Sequence, residues 1–175
     1  GIRDYKVTGV QTCALPISRS RNQMIISAAD QKMVLLRDGK PTRTFPVSTS
    51  KFGLGDARGS YATPLGKLRV RKKIGGDMPA GTVFKGRVPT GEVLPVNAPG
   101  RDPIVTRILW LEGLEARNRN AFSRYIYIHG TPEERNIGQP VSYGCIRMRS
   151  CDVIELFDSV GVNAQVFVKI GRAHV

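Results

Sequence analysis

Residues 128–148 read Ile-His-Gly-Thr-Pro-Glu-Glu-Arg-Asn-Ile-Gly-Gln-Pro-Val-Ser-Tyr-Gly-Cys-Ile-Arg-Met. The stretch begins at the end of an alternating run, Arg124-Tyr-Ile-Tyr-Ile-His129, which has the period of a half-buried strand. A 15-residue connection containing Gly and Pro then leads to Cys145, set between Gly144 and Ile146. A connection of that length can fold back and bring His129 beside Cys145. Such a pair is the minimum set for a thiol nucleophile, because the thiolate attacks and an imidazole takes its proton or holds it as an ion pair. A helix is expected from Ser150, close enough to the thiol for its dipole to lower the thiol pKa. Gly144 lets the backbone approach a substrate and offers an N–H to an oxyanion. The bland alternative is a core cysteine and a strand-end histidine bonded within the fold, since free Cys is among the most buried residue types.

Working outward, the apolar pattern has strand period and strand length nearly everywhere. Strands are predicted over 24–28, 32–37, 42–47, 67–73, 82–87, 105–111, 124–129 and 164–169, with Asp38-Gly39-Lys40-Pro41 turning the second into the third. In 67–73, Leu68 and Val70 alternate with basic residues, which marks one buried and one wet face. One helix is expected, with Ser150 as N-cap, an apolar face of Val153, Ile154, Phe157 and Val160, and Gly161 as its stop. The class is mostly β, with one helix packed on a sheet or barrel.

The chain has 175 residues, 27 Lys+Arg against 14 Asp+Glu and a formal net charge of +13. Its length and composition fit one globular domain and exclude collagen, coiled coil and intrinsic disorder. No apolar run is long enough for a spanning helix. Two end segments resemble translated sequencing adapters rather than folded protein: residues 1–18, which hold Val7-Thr-Gly-Val-Gln-Thr-Cys-Ala-Leu-Pro-Ile17, and residues 170–175, Ile-Gly-Arg-Ala-His-Val. The domain is therefore read over 19–169, with an upstream segment expected, so that a missing export signal says nothing of location. Setting the ends aside removes Cys13 and His174 and leaves Cys145, Cys151 and His129, which suits neither a disulfide framework nor a structural zinc site. Cys151 reads as a small packing residue, Trp110 as core or pocket wall, and Glu133, Glu134 and Arg135 as a solvated loop. The basic residues are scattered and lack a stacking platform, so nucleic acid is not the expected partner. Acidic polymers of a cell envelope suit the same field.

The Cys-centred stretch resembles the signature of the L,D-transpeptidase catalytic domain, the YkuD-like family. That signature is a His-Gly pair, a loop, then Ser-His-Gly-Cys followed by an apolar residue and Arg or Asn. Here it reads His129-Gly130, then Ser142-Tyr143-Gly144-Cys145-Ile146-Arg147. Ser60-Tyr61-Ala62-Thr63-Pro64-Leu65-Gly66 resembles the family's Thr-Pro-x-Gly element, and the likeness extends over nearly all of 22–169.

The resemblance implies a mixed β-sheet, sandwich or barrel-like, with the main helix after the cysteine. It implies acyl transfer through a thioester on peptidoglycan stem peptides, with Cys145 as nucleophile, His129 as base and the Gly130 carbonyl orienting the ring. Gly144, Tyr143, Ser142, Arg147 and Tyr61 fall to the oxyanion and substrate side, with Arg147 gripping a substrate carboxylate. The acceptor would be a second stem, a lipoprotein amine or water. No metal or organic cofactor is implied, and the expected location is the envelope, periplasmic or extracytoplasmic. One departure stands out: the family has His where this chain has Tyr143, and a tyrosine cannot act as an imidazolium near neutral pH. Either Tyr143 substitutes, or the thiol is less activated, with a noncatalytic envelope-binding module as the extreme. A cysteine peptidase of sortase type is disfavoured by the want of a second histidine and by the Thr-Pro-x-Gly likeness.

Overall fold

The computed structural model describes residues 21–173, so segment 1–18 with Cys13 lies outside the described residues. Ten strands form one open, mixed sheet. In chain order they are β1 (Asn22–Ser27), β2 (Lys32–Arg37), β3 (Lys40–Pro46), β4 (Gly66–Ile74), β5 (Thr82–Lys85), β6 (Val88–Val93), β7 (Ile104–Gly113), β8 (Tyr127–Gly130), β9 (Ile146–Met148) and β10 (Gln165–Lys169). The α-helix, α1 (Ser150–Ser159), follows β9. Along the sheet the order is β3-β2-β1-β10-β4-β7-β5-β6, and β8 branches from β7 and carries β9 beyond it. The pairs β1/β10 and β8/β9 are parallel and the others antiparallel. The mostly β, mixed-sheet expectation is therefore met, in an unclosed form.

Asp38 and Gly39 both have positive φ, which suits the two-residue hairpin turn between β2 and β3. Two strands escaped the pattern. β6 is exposed along its whole length and carries Pro89 and Gly91, so it has no apolar period to detect. β9 is only three residues long, too short for a period to show ahead of the helix.

β7 positions the site, because its two faces serve different cores. Leu109 and Leu111 face the main core with Ile128, Ile146, Met148 and the helix residues Val153, Leu156 and Phe157. Ile108 and Trp110 face the other way, into a smaller cluster with Phe84 and Tyr127, against which Cys145 packs. The helix thus backs the sheet from behind. Its buried face includes Leu156 in place of the expected Ile154, which is half-buried.

Helix capping differs from the sequence expectation. Arg149 occupies the N-cap position without a side-chain cap, and the Ser150 N–H donates to Glu134 Oε1 at 2.8 Å. Glu134, expected in a solvated loop, is thus a carboxylate at the helix N-terminus, where the dipole favours negative charge. At the other end Lys73 Nζ donates to the Phe157 and Val160 carbonyls at 2.6 and 2.7 Å, satisfying two orphan acceptors. Of the adapter-like tail, the Ile170 and Gly171 carbonyls accept hydrogen bonds from the Ala29 N–H and the Ser27 hydroxyl.

Candidate active site

β8 and β9 run parallel in the register Ile128↔Ile146, His129↔Arg147 and Gly130↔Met148. Side chains alternate along a strand, so Tyr127 and His129 share one face of β8, and Cys145 and Arg147 share that face beside them. Cys145, immediately before β9, therefore stands next to Tyr127, two positions along from the level of His129 and on the same face. The sequence places these two residues 15 positions of loop apart, and the parallel pairing closes that gap.

The connection between them is fixed to the segment after β3. Val47 O accepts from the Gly138 N–H at 3.2 Å, Thr49 O from Ser142 N–H at 3.0 Å, and Ser142 O from Lys51 N–H at 3.0 Å. Ser48 and Arg147 exchange backbone bonds in both directions. Ser142 is wholly buried, accepts from the Gly144 N–H at 3.2 Å and donates to Cys145 O at 2.5 Å. It shapes the turn carrying the thiol. Gly144 has φ +120°, and a Cβ there would lie 3.2 Å from both Ala62 O and Ile126 Cδ1. That is a position only glycine fills without strain.

The Thr-Pro-x-Gly element reaches the same turn through a residue that sequence reading did not single out. Buried Thr63 donates its hydroxyl to Gly144 O at 2.9 Å and accepts from the Ser50 N–H at 3.0 Å. Its place in that element was the available signal. The preceding loop is anchored by a buried ion pair, Arg124 with Asp56 at 3.0 Å, while Arg124 Nη2 also donates to Ala62 O at 2.8 Å.

The imidazole of His129 is 5% exposed, and its Nδ1 lies 2.7 Å from Gly130 O. A carbonyl can only accept, so Nδ1 carries the proton and Nε2 of the neutral ring is left with a lone pair. Burial lowers the His129 pKa to about 4, the Gly130 carbonyl working against it and the Arg147 charge adding to it. Burial likewise pushes the Cys145 thiol up to about 11, outweighing the Tyr127 N–H bond and the charges of Arg147 and Arg124. The helix-start effect expected from sequence does not prevail, because β9 intervenes and desolvation dominates. Thiol and imidazole are both neutral at rest. Cys145 Sγ accepts from Tyr127 N–H at 3.3 Å and lies 3.3 Å from Tyr125 O, with Tyr125 itself at φ +57°.

Three other expected site residues are already engaged by protein neighbours. Tyr143 is 55% exposed, and its ring packs with Phe52 and Tyr61 at 5.5 and 6.0 Å. Lys51 Nζ donates to its hydroxyl at 3.1 Å. Tyr61 is 56% exposed in the same group. Arg147 is ion-paired with Asp102, which also accepts from the Thr131 hydroxyl, so it does not present a free guanidinium. Cys151, expected to pack, is exposed. Trp110 is buried, stacked on Phe122 at 4.2 Å and edge-on to Tyr127 at 5.7 Å, in the cluster against the thiol.

The fold and this arrangement define a class: a mixed-sheet domain with a thiol and an imidazole on one face, held by a glycine turn. The chain belongs to the family of the L,D-transpeptidase catalytic domain, YkuD, which it matches over residues 21–168. It is 37% identical over 59 residues to "Putative L,D-transpeptidase YqjB" of Bacillus subtilis (strain 168), a match covering 34% of this chain and 32% of that protein. Its fold resembles an L,D-transpeptidase from Mycobacterium smegmatis, with 19% identity, a TM-score of 0.54 and coverage of 85% of this chain and 58% of that one. L,D-transpeptidase 3 from Mycobacterium tuberculosis, in complex with a faropenem-derived adduct, gives 18% identity, a TM-score of 0.55 and coverage of 85% and 60%. The chain thus spans less than two thirds of each of these relatives.

Proposed function

We propose that the chain is a cysteine-dependent L,D-transpeptidase domain that transfers an acyl group from a peptidoglycan stem peptide. The observation that carries this reading is that Cys145, immediately before β9, accepts from the Tyr127 N–H of the strand that carries His129, with Nδ1 of His129 tied to Gly130 O. That bond fixes the tautomer in which Nε2 is the base. His129 Nε2 takes the thiol proton as Sγ bonds to the carbonyl carbon of the L-centred third residue. The tetrahedral oxyanion is held by backbone N–H groups around Gly144 and Cys145, the Gly144 N–H leaving its long contact with Ser142. The C–N bond to the terminal D-alanine then breaks, and the imidazolium returns its proton to the departing amine. The thioester is resolved by the amine of a second stem, a lipoprotein amine or water. Because both groups rest neutral, the proton moves within the complex and not beforehand. Work on the cell envelope, in a periplasmic or other extracytoplasmic space, follows from this substrate. No helix among the described residues is long and apolar enough to cross a membrane.

A second reading is favoured by Tyr143, whose side chain turns to Lys51, Phe52 and Tyr61. It makes the domain an envelope-binding module with little activity. The two separate on D-alanine release from a tetrapeptide donor beside pull-down on sacculi. The enzyme reading expects release that Cys145→Ala abolishes and His129→Ala strongly lowers. Binding without release, unchanged in Cys145→Ala, favours the module.

A further inference from the structure

Two cations bear electrostatically on the thiol, and both already have carboxylate partners. Arg147 is paired with Asp102, and Arg124 with Asp56 in a nearly buried ion pair. A third guanidinium stands on the aromatic wall beside Cys145. It is Arg87, at the tip of the β5–β6 hairpin, where Gly86 has φ +58° and Arg87 φ +68°. This two-residue turn carries the side chain over the wall. Its Cζ lies 4.7 Å from the Trp110 ring centroid and 5.0 Å from that of Tyr125, and Nη1 donates to Tyr127 Oη at 3.2 Å. Tyr125 and Tyr127 are the residues whose backbone atoms contact Sγ. Among the described residues Arg87 has no carboxylate within ion-pair distance, and the acid of its own hairpin, Glu92, pairs with Arg101.

We infer that Arg87 is the substrate-carboxylate anchor of this site, binding the C-terminal carboxylate of the residue that leaves when Cys145 is acylated. The inference rests on the acyl-transfer reading and deepens it. Arg147 was the sequence candidate for this task, but taking it would leave Asp102 unpaired. Arg87 keeps its aromatic faces and gives up only one hydroxyl. In the hydrolysed bond the carboxylate sits one residue beyond the scissile carbonyl, so a cation on the wall flanking the thiol meets it as the carbonyl meets Sγ. A guanidinium resting over two ring faces keeps N–H groups for a two-point grip on a carboxylate. Lys72, 5.5 Å from the Trp110 ring, is the other cation on this wall, and it lacks the fork geometry.

The experiment uses the full chain and three tetrapeptide donors: the free acid, its C-terminal amide, and one amidated instead on the side-chain carboxyl of the third residue. Acylation rate of Cys145 is followed by intact mass. Wild type is expected to favour the free acid over the C-terminal amide by roughly ten- to a hundred-fold, the range of one charge-assisted bond. Arg87→Gln brings that ratio near one by slowing the free acid alone, and Arg87→Lys keeps part of it. The side-chain amide behaves as the free acid. The anchor role is overturned if Arg87→Gln keeps the ratio, if it slows both donors equally as a structural lesion would, if Lys72→Gln moves the ratio instead, or if the side-chain amide is the donor that loses. Failure of wild type to acylate with any donor sinks the acyl-transfer reading itself, and with it the anchor.

Discussion

Cys145 and His129 make opposite demands on their surroundings, and burial decides both. With its pKa near 11, the thiol is almost wholly protonated at neutral pH. Alkylation of Cys145 by iodoacetamide, mapped by peptide mass to separate it from exposed Cys151, is expected to keep rising about ten-fold per pH unit from pH 7 to 10. A plateau near pH 7 would show a resting ion pair instead. His129 titrates near 4 when folded and near 6.5 when unfolded. Between those values the unfolded chain binds the proton the folded one refuses, so stability present above pH 6.5 is lost as the pH falls through 4. The loss is on the order of 3 kcal/mol, and His129→Gln should flatten it in urea titrations at pH 7 and pH 4.5. These charge states were not legible in sequence, because they depend on how deeply the fold buries the pair. The pair itself was only suggested by a His-Gly at a strand end and a Gly-Cys after a long loop, which suit a core cysteine and a bonded histidine equally well, and the family signature is what singled it out. Tyr143 was legible as a departure and not as a contact, because its position in sequence does not say which way its ring turns.

At the scale of elements, the turn carrying the thiol is set by distant pieces, and these were the least visible. Leu68 and Val70 announced β4 through alternation, but exposed β6 and the three-residue β9 have no period to read. Ser150 looked like a cap, yet a glutamate 16 residues earlier caps the helix, a tertiary contact that local rules do not contain. Thr63 holds the Gly144 turn directly, and the Asp56–Arg124 pair anchors the loop that leads to Thr63. Thr63→Val leaves the Gly144 carbonyl and the Ser50 N–H without that partner. It should cost about 1–3 kcal/mol in denaturant melts, with a further drop in acylation rate from a looser turn. Asp56→Ala leaves the Arg124 guanidinium buried without its carboxylate and should cost roughly 3–5 kcal/mol in the same assay.

For the whole molecule, one sheet separates two tasks. Its helix-bearing face holds the main apolar core, and the opposite face carries the thiol, the imidazole and the aromatic wall, so the chemistry rests on strands that the core keeps rigid. The mostly β class followed from strand-length apolar runs with a single helix and the mixed sheet from the family resemblance, whereas the branch of β8 and β9 from β7 followed from no local pattern. The chain has a formal net charge of +13, so retention on acidic sacculi is expected to fall as salt rises from 50 to 300 mM. The proposed function requires that Cys145 be acylated with help from His129. Intact-mass spectrometry after mixing the protein with a tetrapeptide donor reads this step itself. A thioester adduct is expected on Cys145, absent in Cys145→Ala and formed far more slowly in His129→Ala. An unchanged mass in a wild-type sample whose Cys145 still alkylates would contradict it.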